Sequence, residues 1–125
     1  MRALLGTDLS VALQENRPGM LARAAEAIAS GGLNLEGFAE VDGTLHLLTA
    51  DPRSARIALE AAGLAVCGER EVVVVRIEDR SGAAAEVFGR LASAGVNVRY
   101  TYVASGHRVV IAADEPGKAL EVVQA

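Results

Sequence analysis

The sequence is poor in the residues that most often anchor a protein core. It contains no tryptophan, two tyrosines, two phenylalanines and one cysteine, and aromatics make up 3% of its 125 residues. Because 51% of the residues are apolar, the core must be built from alanine, valine, leucine and isoleucine. The one cysteine, Cys67, allows no intrachain disulfide. We expect it to be a small buried apolar residue in a cytoplasmic protein.

Other absences narrow the class of function. The net charge is −4, and no basic stripe with interleaved aromatics occurs, which argues against a nucleic-acid partner. No apolar run approaches the roughly 20 residues of a membrane span, and the N-terminal segment is too short for a signal peptide. His46 and His107 lie far apart without cysteine or carboxylate partners at ligand spacing. We therefore expect no membrane partner, no metal and no cofactor.

The most informative feature that is present is an internal repeat with an offset of 63 residues. Residues 15–21, ENRPGML, return as EDRSGAA at residues 78–84, and SGGLNL at residues 30–35 returns as SAGVNV at residues 93–98. Across residues 15–35 the copies are identical at eight of twenty-one positions without a gap. The chain is therefore a duplication, and its function should be sought where the copies coincide.

Hydrophobic spacing predicts the order βαββαβ in the first copy. The first half is a strand at residues 9–14 and a helix with Pro18 at its first position, followed by strands at 33–41 and 44–50 that are joined by a turn at Asp42-Gly43. A second helix, with Asp51 as its cap and Pro52 as its first residue, and a strand at 64–67 complete the copy. The first helix should bury an apolar stripe formed by Leu21, Ala24, Ala25 and Ile28. Residues 2–6 receive no assignment.

The second copy repeats this order but ends early. It has a strand at residues 72–77, a helix with the stripe Ala84, Val87, Phe88 and Leu91, strands at 96–104 and 107–113, and a helix opened by Pro116. The fourth strand is missing, and we expect residues 2–6 or a second chain to cover that edge. The predicted fold is α+β, with two ferredoxin-like units whose antiparallel sheets carry their helices on one face. The predicted domains are residues 1–70 and 71–125.

With these residues the chain resembles a tandem pair of ACT domains, small regulatory modules that bind amino acids and modulate enzymes of amino-acid metabolism. The first loop, residues 15–21, is similar to that of the ACT domain of bacterial phosphoglycerate dehydrogenase. The two-copy layout is similar to small stand-alone tandem ACT proteins. The resemblance implies a non-catalytic protein that binds a free amino acid, forms a homodimer and signals to a metabolic enzyme or transporter.

The resemblance also implies where the ligand binds, namely in a crevice between two ACT units, where the loop after the first strand meets the start of the second strand. The implied ligand-binding residues of the first copy are Asn16, Arg17, Pro18, Gly19, Met20, Leu21, Asn34 and Leu35. Those of the second copy are Asp79, Arg80, Ser81, Gly82, Asn97, Val98 and Tyr100.

The chemistry of these residues suits a zwitterion. Unpaired backbone N–H groups at the helix that follows Pro18-Gly19 can hold a carboxylate, and asparagine amides offer both donors and acceptors. Asp79 stands where the first copy has Asn16, so the two sites should differ, and we expect the Asn16 loop to bind a carboxylate better. Asn34 and Asn97 are equally explained if asparagine simply tolerates the left-handed conformation after a helix.

Two other functions stay open at this point. The first is a protein-interaction module that keeps the fold and binds no ligand, which the departures at Asp79 and Ser81 favour. The second is a small enzyme, because acylphosphatases share the βαββαβ frame and use an arginine and an asparagine. The residues before Arg17 do not resemble the glycine-rich phosphate loop of that family, and no nucleophile and base occur at a recognisable spacing. We therefore predict that the protein is not an enzyme.

Overall fold

A computed structural model describes residues 2–13 and 18–125 of the chain. Within these residues, four helices and six strands form an α+β fold in which the strands pair antiparallel. In chain order the elements are β1 (Arg2–Ala12), α1 (Met20–Ser30), β2 (Gly37–Val41), β3 (Thr44–Leu48), α2 (Pro52–Ala61), β4 (Ala65–Arg76), α3 (Ala83–Ser93), β5 (Val98–Ala104), β6 (Arg108–Ala113) and α4 (Pro116–Gln124).

The chain folds into two compact units, and the first of them comprises Thr7–Arg70. In this unit β3 lies between β1 and β2, with Ser10 opposite His46 and Ala39 on the other side of His46. On its other side β1 neighbours β4, where the Sγ of Cys67 donates to the backbone oxygen of Ser10 at 3.4 Å. Cys67 is exposed, so the prediction that it is buried is wrong. It is the third residue of β4.

The second unit comprises Glu71–Ala125 together with residues 2–6. Here β6 lies between β4 and β5, and Val75 pairs with Val109. No strand follows α4, and residues 2–6, the piece without an assignment in the sequence, form the first half of β1 beside β4. Ala3 packs against the core of this unit, and its backbone oxygen accepts from Gln124 Nε2 at 3.2 Å. The domain assignment 1–70 and 71–125 itself stays a prediction.

Each core lies between the sheet and a pair of helices and is built from aliphatic side chains. In Thr7–Arg70 the fully buried members are Leu9, Val11, Leu47, Ala55 and Leu59, with Ala24 and Ile28 from α1. In the other unit Val73, Val75, Val87, Leu91, Ile111, Ala119 and Val123 play the same part. Val72 and Val74, which point to the opposite face of β4, are also at most 4% exposed. The prediction that this strand is covered on both faces is therefore confirmed.

The bounds of several predicted strands are wrong. The strand predicted at residues 9–14 begins at Arg2, and the separate strands predicted at 64–67 and 72–77 are one strand, Ala65–Arg76. The polar residues Glu69, Arg70 and Glu71 look like a linker in the sequence. They continue the strand with exposed side chains because backbone pairing does not depend on side-chain polarity.

The two equivalent helices begin in the same way, and the predicted start of the first one is wrong. Pro18 lies outside α1, which begins at Met20 after Gly19, a glycine with a left-handed φ of 98°. Gly82 takes a φ of 88° before α3. Of the predicted stripes, Leu21, Ala25 and Ala84 are exposed, whereas Ala24, Ile28, Val87 and Leu91 are buried.

The turn and cap predictions of the first repeat are confirmed. Asp42 and Gly43 have φ values of 47° and 82°, the left-handed pair that a two-residue hairpin turn requires. Asp51 caps α2 by accepting from the backbone N–H of Ser54 at 3.1 Å, and Pro52 is the first helical residue. Hydrogen bonds from the hydroxyl and backbone N–H of Ser54 lower the pKa of Asp51. The second hairpin has a three-residue turn, so Pro116 lies 64 rather than 63 residues after Pro52.

Two glycines around α3 provide a matched test of the left-handed turn. A Cβ at Gly82 or at Gly89 would meet no atom within 4 Å, but only Gly82 has a positive φ. We expect Gly82→Ala to lower the free energy of unfolding by about 1–2 kcal/mol, since a β-carbon disfavours this conformation. Gly89→Ala, inside the helix, should raise it by about 0.5–1 kcal/mol. Urea unfolding measures both, and equal effects would contradict the assigned conformation.

The role of residues 2–6 can be tested at two neighbouring positions. Ala3 packs against the core of the second unit, whereas Leu4 is 61% exposed. Introducing glutamate at Ala3 should destabilise the protein by about 2 kcal/mol because it places a charge against apolar groups. The matched change Leu4→Glu should stay within about 0.5 kcal/mol. Thermal unfolding compares the two, and a harmless Ala3→Glu would show that this segment does not pack there.

Candidate functional site

The loop between β4 and α3 lines a cleft of about 520 Å³ in the unit formed by residues 2–6 and Glu71–Ala125. Two of the predicted ligand-binding residues, Asp79 and Arg80, line this cleft. The first turn of α3 lines it at Ala83, and the β5–β6 turn lines it at Gly106. The remaining lining residues are Arg2, Arg76, Ile77, Glu78, Glu86 and His107. A volume of this size is within the range of about 300–1,000 Å³ typical of small-molecule sites.

Arg80 is held in place by two carboxylates. Its Nε donates to Glu78 at 2.7 Å, and its Nη2 donates to both oxygens of Glu86 at 3.0 and 2.9 Å. The hydrogen bond to Glu78, followed by that to Glu86, raises the pKa of Arg80. Because Glu86 lies in the first turn of α3, this network joins the loop to the helix. Arg80 therefore positions the loop, and its guanidinium is already occupied by protein groups.

The N-terminus of α3 itself has no side-chain cap. The residue before the helix is Gly82, and the first helical hydrogen bond runs from the N–H of Glu86 to the oxygen of Gly82 at 3.0 Å. The first repeat shows the same arrangement, with the N–H of Arg23 donating to Gly19 at 3.0 Å and no side-chain cap on α1. In both repeats the first-turn N–H groups lack an intrahelical partner, and in α3 the N–H of Ala83 donates to the backbone oxygen of Arg80 at 3.3 Å.

The first copy's site can be described only in part. Asn16 and Arg17 lie outside the described residues. Pro18 and Gly19 are exposed, Leu21 is 47% exposed, and Met20 packs partly against the core. Asn34 is exposed, and Leu35, which we predicted as a ligand contact, packs partly against the same core.

Asn34 and Asn97 do not adopt the left-handed conformation that could have explained them. Gly32 and Gly95 take it instead, with φ values of 73° and 72°, at the ends of α1 and α3. Asn97 is exposed, and its Nδ2 donates to Asp114 at 3.0 Å while Arg99 donates to the other oxygen of the same carboxylate. Neither asparagine is explained by backbone geometry.

Several predicted residues of the second copy do not line the cleft. Asn97, Val98 and Tyr100 are on β5 or just before it, and Ser81 and Gly82 belong to the loop but are not among the residues that line the cleft. Tyr100 stacks on Tyr102 with ring centroids 6.5 Å apart and planes 4° from parallel. Tyr102 is 7% exposed, so this pair is part of the packing of the sheet.

Comparison with solved structures gives the relatives of this fold. The chain superposes on protein BT0572 from Bacteroides thetaiotaomicron with a TM-score of 0.84 and 32% identity, over 98% of this chain and 88% of the other. The chain belongs to the family of this Bacteroides protein. No protein-family model matches the sequence, and no curated protein matches it.

More distant matches are regulatory parts of aspartate kinases. The regulatory subunit from Thermus thermophilus, in a ligand-free form, matches with a TM-score of 0.68 and 21% identity over 98% of this chain and 94% of its own. The aspartate kinase of Clostridium acetobutylicum, an allosteric enzyme, matches with a TM-score of 0.59 and 14% identity. The match covers 98% of this chain and 32% of the kinase. These regulatory domains are of the ACT type, so the chain has an ACT-type fold.

A second polar cluster, which the sequence analysis missed, is formed by Asp8, Ser10 and His46. Asp8 is fully buried, and its Oδ2 lies 3.1 Å from His46 Nδ1 and 3.4 Å from Ser10 Oγ. Ser10 Oγ is also 3.1 Å from the same Nδ1. No spacing in the sequence signals this cluster, because only the β1–β3 register brings residue 46 beside residues 8 and 10.

This cluster differs from a catalytic triad. In a triad the imidazole stands between the two other groups, with the carboxylate on Nδ1 and the nucleophile on Nε2. Here Asp8 and Ser10 approach the same nitrogen, and the serine hydroxyl can donate to Asp8 directly. The arrangement that satisfies all three groups has Nδ1–H donating to Asp8, which gives a structural network around a buried carboxylate.

Among residues 2–13 and 18–125, no group of three or more histidine, cysteine, aspartate or glutamate side chains is arranged to hold a metal ion. No helix of that part of the chain is long and apolar enough to cross a membrane.

The structural role of the Asp8 cluster predicts an order of effects. His46→Ala should lower the free energy of unfolding by about 2 kcal/mol, because it removes a hydrogen bond to a buried charged group. Ser10→Ala should cost about 1 kcal/mol, since His46 still faces Asp8 in that variant. Chemical denaturation of both variants tests the order. If Ser10→Ala were the more damaging, Asp8 would depend on the hydroxyl rather than on the imidazole.

Proposed function

We propose that the protein is a non-catalytic regulatory protein, a tandem pair of ACT domains that binds a free amino acid and passes the bound state to an enzyme or transporter of amino-acid metabolism. The observation that carries the proposal is the repeated loop and helix start, with left-handed Gly19 and Gly82 before helices that have no side-chain cap. Backbone N–H groups at such a start suit a carboxylate, and an ACT-type fold frames both copies.

The finer parts of this proposal are the domain division at residues 70 and 71, a ferredoxin-like arrangement in each domain, a homodimer and a cytoplasmic location. The site would include the Asn16 loop and Asn34 in the first copy, and Asp79 and Asn97 in the second. The likeness of the first loop to that of phosphoglycerate dehydrogenase supports this choice. Supporting it further, Asn34 and Asn97 are exposed and lack a backbone reason for being asparagine.

A thermal-shift screen against the twenty amino acids tests the function. A ligand at 100 times its dissociation constant should stabilise the protein by roughly 2.7 kcal/mol, which raises the melting temperature by several degrees. Asn16→Ala and Asn97→Ala, measured separately, report which copy binds. Lys118→Ala, an exposed position on α4, is the control for non-specific effects. The absence of a shift with every amino acid would contradict the proposal.

A ligand-free interaction module is the second candidate, and exposed apolar side chains favour it. Phe38 and Val41 on β2 are 59% and 63% exposed, and Val103 on β5 is 72% exposed. Such side chains on strands suit a protein partner more than solvent. This module predicts a homodimer or a bound partner in sedimentation experiments, together with a melting temperature that no amino acid changes.

A further inference from the structure

We infer that the cleft beside the 78–82 loop recognises an amino acid whose side chain carries a second carboxylate. The inference rests on the proposed function, because it names the class of amino acid that this copy of the site would take. It is carried by the charged groups that line the cleft and by which of them the protein already pairs.

The cleft contains three arginines and three carboxylates, but they are not all paired with one another. Arg80 binds both Glu78 and Glu86, and both oxygens of Glu86 are within 3.0 Å of its Nη2. Among the described residues, Arg2, Arg76 and Asp79 have no ion pair or hydrogen bond through their side chains. The groups available to a ligand are therefore two guanidinium ions and one carboxylate.

These available groups match a dicarboxylic amino acid in number and sign. Two guanidinium groups can each receive a carboxylate through two parallel hydrogen bonds, which is the geometry in which arginine binds most strongly. Asp79 can accept hydrogen bonds from the ammonium group. The first turn of α3, which has no side-chain cap and lines the cleft at Ala83, adds the positive end of a helix dipole that favours a carboxylate. The ligand's charges of −2 and +1 would complement the two arginines and Asp79.

Other ligand classes fit less well by the same count. An amino acid with an uncharged side chain would leave one guanidinium without a partner, and a lysine or arginine side chain would be repelled by both. A dicarboxylate without an ammonium group would leave Asp79 beside two negative groups. Selectivity among amino acids should follow this difference in paired charges.

The β5–β6 turn helps to hold one of the two arginines. A Cβ at Gly106 would be 3.2 Å from Arg76 Nη2, so the glycine leaves room for this guanidinium against the turn. Gly106 has a φ of 72°, and His107, which also lines the cleft, has a φ of 55°. The N–H of Ile77 donates to the oxygen of His107 at 2.9 Å, which fixes the turn beside Arg76. The guanidinium of Arg76 therefore lies against the β5–β6 turn.

The test is isothermal titration of the intact protein with aspartate, glutamate, asparagine, glutamine and succinate, in low salt. We expect aspartate or glutamate to bind at least about tenfold more tightly than its amide, because an ion pair with a hydrogen bond replaces a neutral contact. Arg76→Gln and Arg2→Gln should each lower the affinity for that ligand about tenfold or more. Arg53→Gln, an exposed position on α2 with the same change in charge, should leave the affinity unchanged.

Asp79→Asn tests the role of Asp79 as the partner of the ammonium group separately from the role of the two arginines. This variant should bind the dicarboxylic amino acid more weakly, because the ammonium group of the ligand loses its partner. It should bind succinate as tightly as the wild-type protein or more tightly. Succinate binding as tightly as aspartate to the wild-type protein would overturn the role of Asp79. Affinity insensitive to Arg2 and Arg76 would overturn the assignment of the cleft. Binding of neutral amino acids alone would overturn this inference and keep the proposed function, whereas no binding of any amino acid would overturn both.

Discussion

Burial of small aliphatic side chains between a sheet and two helices is the interaction on which each unit depends. With no tryptophan and only four other aromatic residues, there are few large side chains to fill gaps. Leu9, Leu47 and Leu59 in one unit, and Val75, Leu91 and Ile111 in the other, are therefore packed at close to zero exposure. Such packing requires every strand to be in place. Residues 2–6 therefore contribute to the core of the second unit, whose other residues come from Glu71–Ala125.

The aliphatic cores also determine where charged side chains can lie. Among the described residues, Asp8 is the buried charged side chain, and the other charged side chains are partly or fully exposed. At residues 78–82 the loop is tied to α3 by Arg80 and its two glutamates, and the exposed pairs involved contribute little to stability. Their effect is geometric. They fix the loop and leave Asp79, Arg2 and Arg76 along the same cleft.

The duplication has kept backbone geometry more closely than side-chain chemistry. Gly19 and Gly82, and then Gly32 and Gly95, have nearly equal φ values in the two copies. The residues around them have diverged, with Asp79 in place of Asn16 and Ser81 in place of Pro18. The backbone at these turns is therefore alike in the two copies, whereas the side chains beside it differ. The family shared with the Bacteroides protein, at 32% identity, has this fold in common.

The sequence by itself determined the repeat, the order of helices and strands, the hairpin at Asp42-Gly43 and the caps at Asp51 and Pro52, because each depends on neighbours a few residues apart. It did not reveal that residues 65–76 form one strand or that residues 2–6 join the second unit, since strand pairing is a contact between distant segments. It named Asp79 and Arg80 as site residues, but only the tertiary structure brought Arg2 and Arg76 to them. The Asp8, Ser10 and His46 cluster was likewise decided by strand register, which no local pattern encodes.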